Sequence, residues 1–117
     1  MAYVDGFVAA VPTANKDAYI AHAAEAAKLF IEFGATRLVE TWGEDVPDGK
    51  VTDFRRSVQA EEGETIVFAW IEYPSKEVRN ECMRRIMEDP RMANMEMPFD
   101  GKRMIFGGFD KILETAA

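Results

Sequence analysis

Cysteine, histidine and basic charge are all scarce in this 117-residue sequence, which holds one cysteine, one histidine, and 14 lysines and arginines against 21 aspartates and glutamates. A lone Cys82 rules out an intrachain disulfide, and with His22 as the single imidazole no Cys/His metal set can be assembled, so neither a metal nor a cofactor is expected. The formal charge of -7 repels phosphate backbones and anionic lipid surfaces, which argues against nucleic acid as a partner. No apolar run approaches the roughly 20 residues of a membrane span. The first residues lack a basic segment followed by an apolar stretch, so a reducing, cytoplasmic setting is expected. Gly6, Gly107 and Gly108 stand outside any strand, glycine-loop, helix order that could cradle a phosphate.

What is present is a single-domain quantity of core-forming residues, 48% hydrophobic and 30% charged, enough for residues 1–117 to fold as one unit without staples. The surest element is the run from Thr65 to Tyr73, β-branched and aromatic throughout and closed by Pro74. Alternation sets Val67, Ala69, Ile71 and Tyr73 on one face and Ile66, Phe68 and Trp70 on the other. Both faces are apolar, so helices can account for one and something else must cover the second: a partner chain or an enclosed ligand.

Tyr3 to Val11 is a similar two-faced strand ended by Pro12. A helix is predicted over 15–33, with Asn15 as N-cap, Gly34 as the residue that ends it, and an apolar stripe of Tyr19, Ala23, Ala26, Phe30 and Phe33. Residues 36–43 read as a strand followed by an acidic loop with a Pro47-Asp48-Gly49 turn. Phe54, Arg56, Val58 and Ala60 alternate with Arg55, Ser57 and Gln59, which predicts a third strand forming a hairpin with 65–73. Ser75 caps a second helix carrying Val78, Cys82, Met83, Ile86 and Met87 on one side. Asp89-Pro90 restarts a short helix within a methionine-rich segment, Met92, Met95 and Met97. Arg103 to Phe109 is the last strand, where Gly107-Gly108 implies a bulge or a close backbone approach, and a short amphipathic tail follows. This order suits an α+β fold, a ferredoxin-like β-α-β-β-α-β subunit with one added or divided strand, a mainly antiparallel sheet and helices on one face. The bare face then predicts a homodimer with two sheets packed together.

The segments Tyr3-Val4-Asp5-Gly6-Phe7, Val46-Pro47-Asp48-Gly49-Lys50, Trp70-Ile71-Glu72-Tyr73-Pro74-Ser75, Asp89-Pro90-Arg91-Met92 and Met97-Pro98-Phe99-Asp100-Gly101 resemble the YbaA-like family of small bacterial proteins of unknown function, over nearly the whole chain. The resemblance implies a subunit of the dimeric α+β-barrel superfamily and brings no catalytic residue with it.

Charged residues within predicted strands, Asp5, Arg37, Glu40, Arg55, Arg56, Glu72 and Arg103, either pair across strands or line a cavity. Trp42 and Trp70, with Arg56 and Phe68, are the candidate ligand-binding residues, the tryptophans supplying flat apolar walls. His22 and Glu40 are the candidates for a proton-transfer step, although His22 shares the polar side of its helix with Glu25 and reads as solvated. Cys82 reads as an inert core thiol. The leading functional reading is a dimeric module that binds a small molecule. The alternatives are a cofactor-free monooxygenase- or lyase-like enzyme acting on a small aromatic or dicarbonyl compound, by analogy with the superfamily, and a purely structural dimer.

Overall fold

A computed structural model describes residues 2–117. Its regular elements are β1 (Tyr3–Pro12), α1 (Lys16–Glu32), β2 (Arg37–Trp42), α2 (Phe54–Ser57), β3 (Glu64–Tyr73), α3 (Lys76–Glu88), α4 (Pro90–Ala93) and β4 (Ile105–Asp110), with short 3-10 turns at Thr13–Asn15 and Gly101–Arg103. The four strands form one open antiparallel sheet in the order β2-β3-β1-β4, giving an α+β architecture. β1 and β3 are central and pair along their full length, from Tyr3 opposite Tyr73 to Pro12 opposite Glu64.

The central strands are apolar on both sides because both sides are covered, though unequally. On the inner face, Ala9, Val11, Val67 and Ala69 pack against Tyr19 and Ala23 of α1. Farther along that face, Ile71 and Tyr73 meet Leu29 of α1 together with Cys82 and Ile86 of α3. Cys82 is fully buried, and burial pushes its thiol pKa up, as befits a core residue. α3 starts as its sequence predicts, with Ser75 accepting from the Val78 backbone N–H at 3.2 Å. Asp89 caps α4 in the same way through Arg91 N–H at 2.8 Å, with Pro90 in the first helical position.

Residues 54–60 do not form the predicted third strand. Asp53 accepts from the backbone N–H groups of Arg56 at 2.7 Å and Gly49 at 3.0 Å, and that capped turn winds 54–57 into α2. Phe54 and Val58, four residues apart, then point the same way onto the outer sheet face. Val58 is buried against Val8, Ala10 and Ile66, and the Phe54 ring meets Phe68 edge-on at 6.0 Å. Two-residue alternation and four-residue spacing coincide at these positions, so the cap decides between strand and helix. There is accordingly no hairpin with β3, the sheet has four strands, and one end of the outer face is covered by the chain's own α2. Not all helices lie on one side. Gln59, which follows, is held at φ 51°, a left-handed conformation uncommon outside glycine.

Two local expectations also change. The Asn15 side chain makes no cap bond; its Nδ2 donates instead to the Pro98 carbonyl at 3.0 Å, tying the start of α1 to the segment before β4. Gly107-Gly108 makes no bulge, since the β1–β4 register runs unbroken. The close approach is real: a Cβ at Gly108 would lie 2.5 Å from Tyr3 Oη and 2.6 Å from Arg79 Nη2. At the helix end, Gly34 has φ 123° and sits against Val78, so the turn from α1 into β2 requires glycine there. The tail after β4 carries no regular structure, and Ile112 and Leu113 are almost fully exposed.

Candidate functional site

α1 presents Ala23 and Ala26 to the sheet, where longer side chains would close the gap, and a cavity of about 310 Å³ opens between sheet and helices. Its floor includes Asp5 and Phe7 of β1, Leu38 and Glu40 of β2, and Ile71 of β3. Tyr19, His22 and Phe30 of α1 and Arg79 and Met83 of α3 form the walls, and Met92, Met97, Phe99 and Met104 complete the lining. The methionine-rich segment thus contributes Met92 and Met97 to the lining. Unbranched thioether side chains adapt readily to the shape of an occupant.

Besides His22, two hydrogen-bonded polar groups break this apolar lining. In the first, Tyr19 Oη donates to Glu40 Oε1 at 2.7 Å. Burial raises the Glu40 carboxyl above the ordinary carboxylate range, the Tyr19 bond opposing that only in part. Burial and then Glu40 raise the Tyr19 phenol in turn. The Tyr19 ring packs against Trp42 at 6.4 Å and Phe99 at 5.6 Å, which fixes the hydroxyl's direction. In the second, Asp5 accepts from Tyr73 Oη at 3.0 Å and pairs with Arg79, Nη2 at 2.9 Å and Nε at 3.0 Å. Arg79 also stacks over the Tyr3 ring at 5.2 Å. This second group is a saturated structural tie between β1, β3 and α3.

The sequence candidates divide between the two sides of the sheet. Glu40 and His22 both line the cavity. His22 is half-buried rather than fully solvated, and burial lowers its pKa, favouring the neutral imidazole. Trp42 lies beside the cavity through its contact with Tyr19, with Lys16 Nζ 5.5 Å above its ring. Phe68 and Trp70 lie on the outer face, 5.9 Å apart, where with Val4, Val8, Ile105 and Phe109 they line an open apolar groove of about 650 Å³. Arg56 is on α2, exposed and paired with its own cap Asp53 at 3.5 Å. The four proposed ligand-binding residues are therefore not brought together. Of the charges expected in strands, Arg37–Glu72 at 3.7 Å is a cross-strand pair, whereas Arg103 lies in the turn before β4 and reaches Glu64 through two bonds of 2.8 and 2.7 Å.

Tyr19 is the site residue that sequence reasoning missed, being read as part of a core stripe. A tyrosine in such a stripe needs a partner for its hydroxyl, and a glutamate inside an apolar strand needs a donor; matching the two would have pointed to this pair. No group of three or more His, Cys, Asp or Glu side chains is placed to hold a metal ion among the described residues, and no helix there is long and apolar enough to cross a membrane.

Comparison with known proteins agrees with the resemblance carried by the sequence segments. The Uncharacterized protein YbaA of Escherichia coli K12 is 64% identical over 116 residues, covering 97% of this chain and 99% of the relative. The YbaA proteins of Escherichia coli O157:H7 and Shigella flexneri match to the same extent. A model of the family described as "Protein of unknown function (DUF1428)" matches residues 2–101. The chain belongs to this DUF1428 family, whose function is not characterised.

Proposed function

We propose that the chain is a ferredoxin-like subunit of a dimeric α+β barrel, and that the cavity between its sheet and helices binds a small, largely apolar molecule. The observation that carries the reading is the cavity itself: about 310 Å³ walled by methionine and aromatic side chains, with the Glu40–Tyr19 pair as its polar fixture. Pockets for small ligands have this makeup, an apolar lining with a few placed polar groups and a volume of about 300–1,000 Å³. The dimer is supported by the part of the outer face that α2 leaves open. There Phe68, Ile105 and Phe109 are each about half exposed, and Ile112 and Leu113 extend beyond β4 as an apolar arm that a second copy would cover. A reducing, cytoplasmic setting suits the free, buried Cys82.

A second reading is favoured by the raised carboxyl of Glu40: proton transfer on a small aromatic or dicarbonyl compound held in the same cavity. The two readings separate on turnover, which the second requires and the first does not, and which Glu40→Gln would abolish.

The direct experiment is native mass spectrometry of the protein purified from its own host. Wild type should carry a bound small molecule, and Ala23→Phe, which projects a ring into the cavity, should emerge folded and empty. Identical spectra from the two proteins, with no retained mass, would count against the binding reading.

A further inference from the structure

The charges lining the cavity do not cancel. Asp5 and Glu40 contribute two carboxyl groups, and Arg79 contributes one guanidinium, which pairs with Asp5 at 2.9 Å and also bonds Asn80 at 3.0 Å. His22 is favoured in its neutral form. The remaining negative group is Glu40, and none of the salt bridges among the described residues includes it. Lys16, the cation on the adjoining end of α1, is engaged above the Trp42 ring. Glu40 accepts one hydrogen bond, from Tyr19, and so keeps lone pairs for an occupant. A partly buried carboxylate without a counter-ion beside an apolar lining is stabilised by a cation brought to it.

We propose that the ligand of this cavity is a small organic cation, an ammonium group on a compact apolar or aromatic body, whose charge is met by Glu40. The inference rests on the binding reading above and specifies its chemistry. A second feature points the same way: Tyr19, Phe7, Phe99 and Phe106 are among the lining residues, and aromatic rings attract cations while accepting the apolar body as readily as the methionines do. The protein's formal charge of -7 also raises the local concentration of cations over that of anions. At 310 Å³ the space equals about ten water volumes, which suits an amine of roughly ten non-hydrogen atoms.

The test uses three probes of one shape and different charge, 2-phenylethylamine, 2-phenylethanol and 3-phenylpropanoate, titrated calorimetrically into the intact protein near neutral pH. The amine should bind about tenfold or more tighter than the alcohol, the difference expected of a hydrogen bond to a charged group, and the carboxylate should bind weakest. Glu40→Gln should bring amine and alcohol within about threefold of each other, with its circular dichroism spectrum unchanged. Wild type alone supplies an independent readout. Amine binding should weaken as pH falls and Glu40 takes up a proton. Tyr19 and His22 are the other titratable groups of α1 facing the cavity, with Asp5 and Arg79 beyond them on β1 and α3. If alcohol or carboxylate binds as tightly as amine, the cation proposal is overturned while the binding reading survives. If none of the three binds, both fall.

Discussion

Replacing Asp5 by alanine tests how the inner face is held together. Asp5 and Arg79 are 74 residues apart in sequence, and their side chains retain only 14% and 23% of their exposure. The substitution removes the acceptor of Tyr73 Oη, on a residue 1% exposed, as well as the partner of Arg79. Breaking a buried ion pair by deleting one member costs about 3–5 kcal/mol, and orphaning a buried hydroxyl costs about 1–3 kcal/mol. Arg79 keeps some access to water and a 3.0 Å bond to Asn80, so the total is discounted to about 3 kcal/mol. For a chain of this length about 1 kcal/mol corresponds to about 4 °C, so Tm should fall by about 12 °C. Urea unfolding of a double-mutant cycle checks the cause. Tyr73→Phe alone should cost about 1 kcal/mol, and the double variant should fall short of additivity by a similar amount, because both changes remove one shared bond. An Asp5→Ala loss below about 0.5 kcal/mol, the scale of a solvated surface pair, would contradict the tie inferred here.

Three other predictions follow from the same contacts. Because burial raises Glu40 above its unfolded value, the folded chain holds a proton that the unfolded chain has released, and stability falls as pH rises through that window. Glu40→Gln, which still accepts from Tyr19, should therefore be more stable than wild type at about pH 8, with the gap closing toward about pH 4; equal stability at both would contradict the desolvation of Glu40. Asp53→Ala should cost about 1 kcal/mol by denaturant titration, the loss of a helix cap, whereas a neutral result would favour an extended 54–60 segment. Sedimentation equilibrium at micromolar concentration should give about twice the 13.2 kDa subunit mass, and Phe68→Asp, at the centre of the open outer face, should halve it or prevent folding; a stable wild-type monomer would remove the dimer.

β1 and β3 were legible because their apolar residues alternate on both faces, a pattern a helix cannot bury. α1 and α3 were legible from four-and-three spacing ended or begun by Gly34 and Ser75. The 54–60 segment was not, since Phe54 and Val58 satisfy strand alternation and helical spacing together, and only the reach of the Asp53 carboxylate to Arg56 separates them. Asn15 shows the same limit: its type suited a cap, but Pro98, 83 residues away, offered a better acceptor. For the site, the sequence marked Glu40 as a charge out of place in an apolar strand. It could not say which sheet face α1 would cover, and that choice puts Phe68 and Trp70 outside while Glu40 and Trp42 turn toward the helices. The Asp5–Arg79–Tyr73 tie depends on three elements meeting and leaves no local trace.

Methionine methyl resonances offer the most direct reading of whether the cavity takes a ligand, because the side chains are distributed as probe and control. Met83, Met92, Met97 and Met104 line the cavity, while Met87 is 81% exposed and lies away from it. On titration of methyl-13C-methionine protein with 2-phenylethylamine and with 2-phenylethanol, the four lining methyls should shift together and saturably with at least one probe while Met87 stays fixed. Shifts confined to Met87, or none at any lining methyl with either probe, would mean that the cavity is not a binding site.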